Sequence, residues 1–302
     1  MHQHDWAGVF PAITTPFRDD LSIDHDFLCE HVSWLVDRGS RGIVALGSLG
    51  EAPTLAFEEK VQILESCKSA VGTRVPVVAG ISALSTAEAV ALARAAERAG
   101  CQGLMVLPPY VYQGDCRETL AHLEAILSAT PLSCMVYNNP IAYGTDITPE
   151  QIAHLAERFE NLHAVKESSG DVRRITAIRA SLGDRLALFA GLDDLILEGI
   201  GAGAGGWVAG LVNALPDATV RLFDMATAGR AEQARALYDW FLPLLRLDTR
   251  PKFVQLIKLV QEEVGRGRTT VRPPRLPLEG AELDTALALV RERIGTQPAS
   301  AT

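Results

Sequence analysis

Three side chains in this chain of 302 residues could together do carbonyl chemistry: Lys166, Tyr137 and Ser48. Lys166 lies in His163-Ala164-Val165-Lys166-Glu167-Ser168-Ser169-Gly170, where an apolar run from Leu162 to Val165 ends in a lysine and a polar turn. Burying an unpaired ammonium is costly, so this lysine has two readings. Either it is an edge residue or pairs with Glu167, or it stands at a strand's C-terminal end inside a core as a desolvated, nucleophilic amine. Such an amine attacks a 2-oxo acid or cyclic imine carbon. The protonated imine it forms is an electron sink and makes the neighbouring C3 proton acidic. A tyrosine held by a nearby hydroxyl can shuttle that proton. Tyr137 precedes Asn138-Asn139-Pro140, and a tyrosine there could equally be packing. Ser48 lies in Gly47-Ser48-Leu49-Gly50-Glu51. That stretch is either a nest of backbone N–H groups for a carboxylate or a plain glycine-rich turn.

These groups meet only if the elements carrying them converge. Apolar runs alternate with amphipathic helical stretches, and the cycle repeats eight times. The expected strands are Val9 to Thr14, Gly42 to Leu46, Val75 to Ala79, Gly103 to Leu107, Leu132 to Tyr137, the run ending at Lys166, Leu186 to Ala190, and Gly206 to Val208. Each is followed by a helical period; the helix after the third is expected to take Thr86 as its N-cap. Strands apolar on both faces, each followed by a helix, imply a parallel sheet. Eight such units match a closed (β/α)8 TIM barrel, and residues 1–230 are assigned to it as the catalytic domain. An open doubly wound sheet would want a phosphate fingerprint where Thr14-Thr15-Pro16 stands. Residues 231–302 read as a three-helix C-terminal extension packed on the barrel. Its helices are expected at Ala231 to Leu247, Lys252 to Val264 and Glu279 to Ile294, with residues 297–302 disordered.

In such a barrel, catalytic groups follow the strands. Beyond those named, the strand ends offer Tyr110 and Tyr112 after strand four and Val208 at the end of strand eight. Asn139 and Tyr143 follow strand five. Gly191-Leu192-Asp193-Asp194 follows strand seven; its acidic pair either binds substrate hydroxyls or favours the next helix's N-terminus.

Bulk properties narrow the function. A net charge of −9 argues against a broad nucleic-acid surface. No run of about 18 apolar residues suggests a membrane span, and the polar start Met1-His2-Gln3-His4-Asp5 lacks a signal-peptide core. Five cysteines, an odd number without a Cys-x-x-Cys pair, fit free thiols in a reducing cytoplasm. The scattered histidines give no clustered metal ligands. Glycines 199–206 precede a strand, so they read as tight packing and not as a dinucleotide loop. No Gly-x-Ser-x-Gly elbow is present for a serine hydrolase. A barrel kept only as a ligand-binding module is the non-enzymatic alternative.

Four motifs in combination resemble the dihydrodipicolinate synthase/N-acetylneuraminate lyase superfamily of lysine Schiff-base aldolases, lyases and hydratases. They are Gly47-Ser48-Leu49-Gly50-Glu51, Tyr137-Asn138-Asn139-Pro140, Lys166-Glu167-Ser168-Ser169-Gly170 and Gly191-Leu192-Asp193-Asp194, and the likeness spans roughly Gly8 to Ile294. The resemblance implies Lys166 as the Schiff-base lysine, Tyr137 as the proton shuttle, and Ser48 as a carboxylate-binding relay to Tyr137. Leu49 and Gly50 would offer backbone N–H groups to substrate. Asn139, Tyr143, Asp193 and Val208 are counted with the substrate-binding set. Tyr110, or Tyr112 close by, would reach a neighbouring subunit's site in a homotetramer built as a dimer of dimers. No metal or organic cofactor is implied, since the lysine is the electron sink; the partner is a small 2-oxo acid or cyclic imine.

One position departs from the pattern. Dihydrodipicolinate synthases place an arginine five residues after the tyrosine, and this chain has Ala142. The wider pattern is more similar to Δ1-pyrroline-4-hydroxy-2-carboxylate deaminases of hydroxyproline degradation. It includes Trp240-Phe241-Leu242-Pro243-Leu244-Leu245 and Arg272-Pro273-Pro274-Arg275-Leu276-Pro277-Leu278. A deaminase is therefore the first expectation. A 2-keto-3-deoxy sugar acid dehydratase, a pyruvate-dependent aldolase and a dihydrodipicolinate synthase are the alternatives.

Overall fold

Eight apolar runs become eight short parallel strands in the computed structural model, which describes residues 1–298. They are β1 Gly8–Pro11, β2 Ile43–Ala45, β3 Val77–Ile81, β4 Gly103–Val106, β5 Ser133–Asn138, β6 Leu162–Glu167, β7 Ala187–Ala190 and β8 Gly206–Ala209. Neighbours in sequence are neighbours in the sheet, and β8 returns to pair with β1. A parallel bridge between Ala12 and Val44, with the Ile13 N–H donating to the Val44 carbonyl at 3.0 Å, joins β1 to β2 and closes the ring. The (β/α)8 barrel expected from the repeat is therefore the observed fold, with several strand ends shifted by one to three residues.

The helices lie outside the ring. They are α1 His25–Asp37, α2 Phe57–Val71, α3 Thr86–Arg98, α4 Cys116–Ser128, a single turn α5 Pro140–Tyr143, α6 Pro149–Arg158, α7 Arg173–Leu182, α8 Ile196–Ala202 and α9 Pro216–Thr227. Three more follow: α10 Ala231–Leu245, α11 Phe253–Glu263 and α12 Gly280–Gly295. Their starts are written in side chains that accept from otherwise orphaned N–H groups. Asp24 accepts from Phe27 N and Asp115 from Glu118 N. The cap of α3 is Ser85, one residue before the expected Thr86; the Thr86 hydroxyl instead bonds His122 Nδ1 at 2.9 Å. Helix α10 packs against α9, and α12 packs against both α10 and α11. The expectation for the C-terminal tail falls mostly outside the described residues. No helix among the described residues is long and apolar enough to cross a membrane.

Side chains alternate across each strand, and this sorts the core in two. The larger cluster lies between the strands and the helices. The smaller fills the barrel and includes Phe10, Val44, Val78, Met105, Met135, Tyr137, Ala164, Phe189 and Val208. At its N-terminal end, Trp6, Phe10 and Phe189 stack into a plug with ring centroids 5.3–6.0 Å apart. The Trp6 indole N–H donates to Ser133 Oγ at 2.7 Å, and that hydroxyl also bonds His163 Nδ1 at 2.7 Å.

The plug fits because β8 starts with a glycine and another glycine immediately precedes β2. A Cβ on Gly42 would meet the Phe10 ring at 2.1 Å, and one on Gly206 would meet the Phe189 ring at 2.3 Å. Gly206 thus answers the glycine-rich run before β8: it makes room for an aromatic ring. Forcing a methyl group into a packed core costs about 1–3 kcal/mol. Gly206→Ala should lower unfolding stability by that amount in a urea titration. Gly201→Ala, whose Cβ meets nothing within 4 Å, should not. Equal midpoints for the two variants would remove the packing explanation.

Candidate active site

Alternation along β6 sets the direction of Lys166. Ala164 faces the barrel interior and Val165 the helix side, so Lys166 faces in and Glu167 faces out. The pairing Lys166–Glu167 does not form. Glu167 instead accepts from Asn138 Nδ2 at 3.1 Å and from Ser169 N at 2.6 Å, and burial pushes its carboxyl up. Lys166 is 6% exposed and has no ion-pair partner among the described residues. Its Nζ lies 3.9 Å from the centroid of the Tyr137 ring, one strand over, where Tyr137 and Lys166 are register partners. An amine against an aromatic face, short of other partners, is kept available for covalent chemistry. Gly191 is what lets the lysine stem through: a Cβ there would lie 2.7 Å from Lys166 Cε and 2.0 Å from Ser168 Oγ. The Ser168 hydroxyl is buried with no hydrogen-bond partner.

Lys166 opens into a cavity of about 460 Å³ at the C-terminal mouth. Tyr137, Ser48, Leu49, Tyr110, Asn139, Tyr143 and Val208, all expected at the site, line it. The hydrogen bonds among them differ from the expectation. Ser48 Oγ is bonded to Tyr143 Oη, not to Tyr137. Tyr143 stands between the other two tyrosines, 5.8 Å from Tyr137 and 5.7 Å from Tyr110 by ring centroids. Burial first, then the neighbouring Tyr137, holds the Tyr143 phenol well above its usual value, against the Ser48 hydrogen bond. The Tyr137 hydroxyl accepts from Asn139 Nδ2 at 2.9 Å, while Asn139 Oδ1 caps the α5 turn by accepting from Ala142 N at 3.0 Å. Asn139 therefore fixes both tyrosines: one by its amide, the other through the turn that carries it. Tyr112 points away; it is 57% exposed and bonded to Glu118.

Two expected residues do not reach the cavity. The Asp193 carboxylate is fully buried and accepts from Trp207 Nε1 at 2.9 Å, Gly210 N at 3.1 Å and Leu211 N at 2.8 Å. Burial pushes its carboxyl up to about 6, opposed by those hydrogen bonds and by Lys166. It shapes the loop after β8 and leaves no lone pair directed at substrate. Gly50 is buried too, with its carbonyl accepting from Thr15 Oγ1 at 2.7 Å. Conversely, the loop after α10 supplies cavity walls that the strand-by-strand reading missed: Asp248, Thr249 and Arg250, with Arg275 from the segment before α12. A polar break, Asp248-Thr249-Arg250-Pro251, between two apolar helices was the available signal. Nothing in its spacing says that it folds back over the mouth.

The Dihydrodipicolinate synthetase family model matches residues 5–293. The chain belongs to that family. Its members are lysine Schiff-base lyases of small molecules. A 4-hydroxy-tetrahydrodipicolinate synthase of Methanopyrus kandleri is 34% identical over 297 residues, 96% of this chain and 97% of its own. One of Rhizobium meliloti is 32% identical, over 93% of this chain and 97% of its own. The chloride-inhibited dihydrodipicolinate synthase of Acinetobacter baumannii, solved with pyruvate, superposes with a TM-score of 0.90 at 29% identity. That match covers 96% of this chain and 99% of the other.

The loop carrying Ser48 and Leu49 is anchored from below. Glu51, fully buried in a left-handed conformation (φ 55°), pairs with Lys258 of α11 at 2.6 Å and accepts from Arg272 N at 3.1 Å. Burial lowers the Lys258 ammonium's pKa, against the pull of Glu51. Removing one partner strands the other charge, which costs about 3–5 kcal/mol. Lys258→Met should lose stability on that scale in chemical denaturation and weaken carboxylate binding. Adding Glu51→Gln should recover part of the loss. A fully additive double variant would mean the two side chains act independently.

Proposed function

We propose that this enzyme is a Δ1-pyrroline-4-hydroxy-2-carboxylate deaminase, with Lys166 as its Schiff-base lysine. The observation that carries the lysine's role is its inward, unpaired side chain, with Nζ over the Tyr137 ring in the cavity wall. Ser48 and the Leu49 backbone hold the substrate carboxylate; Lys166 attacks C2 of the cyclic imine and displaces the ring nitrogen from C2, so the ring opens to an amine on C5 and a Schiff base forms on the lysine. The tyrosines remove a C3 proton, the electrons passing to the imine nitrogen. The C4 hydroxyl then leaves as water, and the new double bond moves toward C5. Water at C5 releases ammonia, and water at the Schiff base frees 2,5-dioxopentanoate and restores Lys166. Supporting a route for that proton, Ser48 Oγ bonds Tyr143 Oη, and the Tyr143 ring stands edge-on to the Tyr137 ring. Supporting this substrate over one with a second carboxylate is Ala142, exposed on α5 where synthases of the family are expected to carry an arginine.

A second reading, 4-hydroxy-tetrahydrodipicolinate synthase, is favoured by the names of the relatives and by Arg250 and Arg275 in the cavity wall. Those guanidinium groups would have to replace the missing arginine and hold the carboxylate of aspartate semialdehyde. We further infer a cytoplasmic homotetramer. Its support is an apolar rim of Leu84, Val111, Tyr112 and Ile141, each more than half exposed, on the loops after the adjacent strands β3, β4 and β5. Sedimentation of the purified enzyme checks the assembly.

Purified enzyme given 4-hydroxy-1-pyrroline-2-carboxylate should release one ammonia per 2,5-dioxopentanoate formed. Lys166→Ala should lose turnover by roughly four orders of magnitude or more with an unchanged circular dichroism spectrum. Condensation of pyruvate with aspartate semialdehyde in place of ammonia release would establish the second reading. Substantial ammonia release by Lys166→Ala would sink the lysine mechanism.

A further inference from the structure

The deaminase reading needs a proton that the tyrosines do not supply. A C4 hydroxyl leaves readily only if its oxygen is protonated as the C–O bond breaks. Among the residues lining the cavity there is one carboxyl group, that of Asp248, and it comes from the C-terminal segment, not from a barrel strand. Its side chain makes no hydrogen bond or ion pair among the described residues, although its backbone N–H is used, donating to Leu245 O at 3.1 Å. A structural aspartate in a turn is held by such bonds; Asp193 nearby has four. The Asp248 carboxyl instead lies flat on Gly210, where a Cβ would stand 2.3 Å from its Oδ1. Gly210 is thereby clamped between two carboxyls, because its own N–H donates to Asp193.

We propose that Asp248 is the catalytic general acid that protonates the departing C4 hydroxyl, a role that rests on the deaminase reading. The ring of strands gives it a suitable place. Lys166 rises from β6, Tyr137 from β5, and Asp248 packs over the loop after β8. The group that removes the C3 proton and the group that serves C4 thus approach from different sides of the lysine. In the step itself, the enamine formed on Lys166 pushes its electrons toward C3–C4 and the C4–O bond breaks. The oxygen takes the Asp248 proton and leaves as water. Asp248, now a carboxylate, regains a proton from solvent. Burial and the nearby charges of Asp193 and Asp194 hold its carboxyl well above the usual carboxylate range, against Lys166, so the protonated form that must donate is favoured. The other polar groups serve less well. Arg250 and Arg275 cannot be deprotonated, and Tyr143 and Tyr137 serve the C3 proton from the side of β5.

The test separates this step from those before it. Wild-type enzyme, Asp248→Asn and Asp248→Glu are each given two substrates. With 4-hydroxy-1-pyrroline-2-carboxylate, ammonia release reads the whole sequence. With 1-pyrroline-2-carboxylate, which has no hydroxyl to lose, deuterium uptake at C3 in heavy water reads imine formation and proton removal alone. Asp248→Asn should lose ammonia release by about 10²–10⁴-fold and keep C3 exchange within a few-fold, and Asp248→Glu should recover part of the loss. Wild-type ammonia rates in Asp248→Asn, or an equal fall in both readouts, would overturn the role of Asp248 while leaving the deaminase reading intact. Wild-type enzyme that exchanges C3 protons but releases no ammonia would sink that reading, and the proposal with it.

Discussion

A carboxylate with no solvent contact must be answered inside the protein, and for Glu51 the answer is a cation from another part of the chain. Glu51 ends the Gly47–Glu51 loop after β2, and Lys258 reaches it from α11, 207 residues later. Neither charge is tolerable alone in that environment. The pair therefore makes the loop that carries Ser48 and the C-terminal helices a single mechanical unit. Arg272 and Arg275 add to it, the first through its backbone N–H and the second at 3.8 Å. Everything else at the mouth inherits this constraint. The Ser48–Tyr143 hydrogen bond requires the loop to be in place, and the Asp248–Arg250 wall requires α10 and α11 to be docked.

Against that framework, the groups at the cavity are positioned by smallness as much as by contact. Gly191 clears the stem of Lys166, Gly210 clears the Asp248 carboxyl, and Gly206 clears the aromatic plug below. All three lie on or beside β7 and β8. The opposite half contributes bulk: Tyr137, Tyr143 and Tyr110 crowd the side of β4 and β5. Lys166 therefore has phenols on one flank, and Gly191, Gly210 and Asp248 line the other.

The barrel was legible because its signal is repeated eight times and each apolar run is buried on both faces. Strand ends were less so, since turns borrow residues from either side. Lys166 and Tyr137 could be named because a lysine or tyrosine closing an apolar strand conflicts with its surroundings, and such conflict marks chemistry. Asp193 misled for the same reason. It too follows a strand, but its demand is met by three backbone and indole donors, a satisfaction that depends on Trp207, Gly210 and Leu211 meeting it in space. The partner of Ser48 was misassigned because Tyr143 is delivered by a four-residue turn too short to show a helical period. Asp248 was invisible because it follows no strand.

The aromatic plug has a consequence for traffic. With the Trp6 and Phe10 rings stacked and Phe189 edge-on to both across its N-terminal end, the barrel of the described residues opens at its C-terminal mouth. Small-molecule substrate and product share that mouth, and a route along the barrel axis is blocked by the three packed rings. Reactant and products must take turns, so whatever rests at the rim, whether a neighbouring chain's loop or a spent product, meters arrival and departure together.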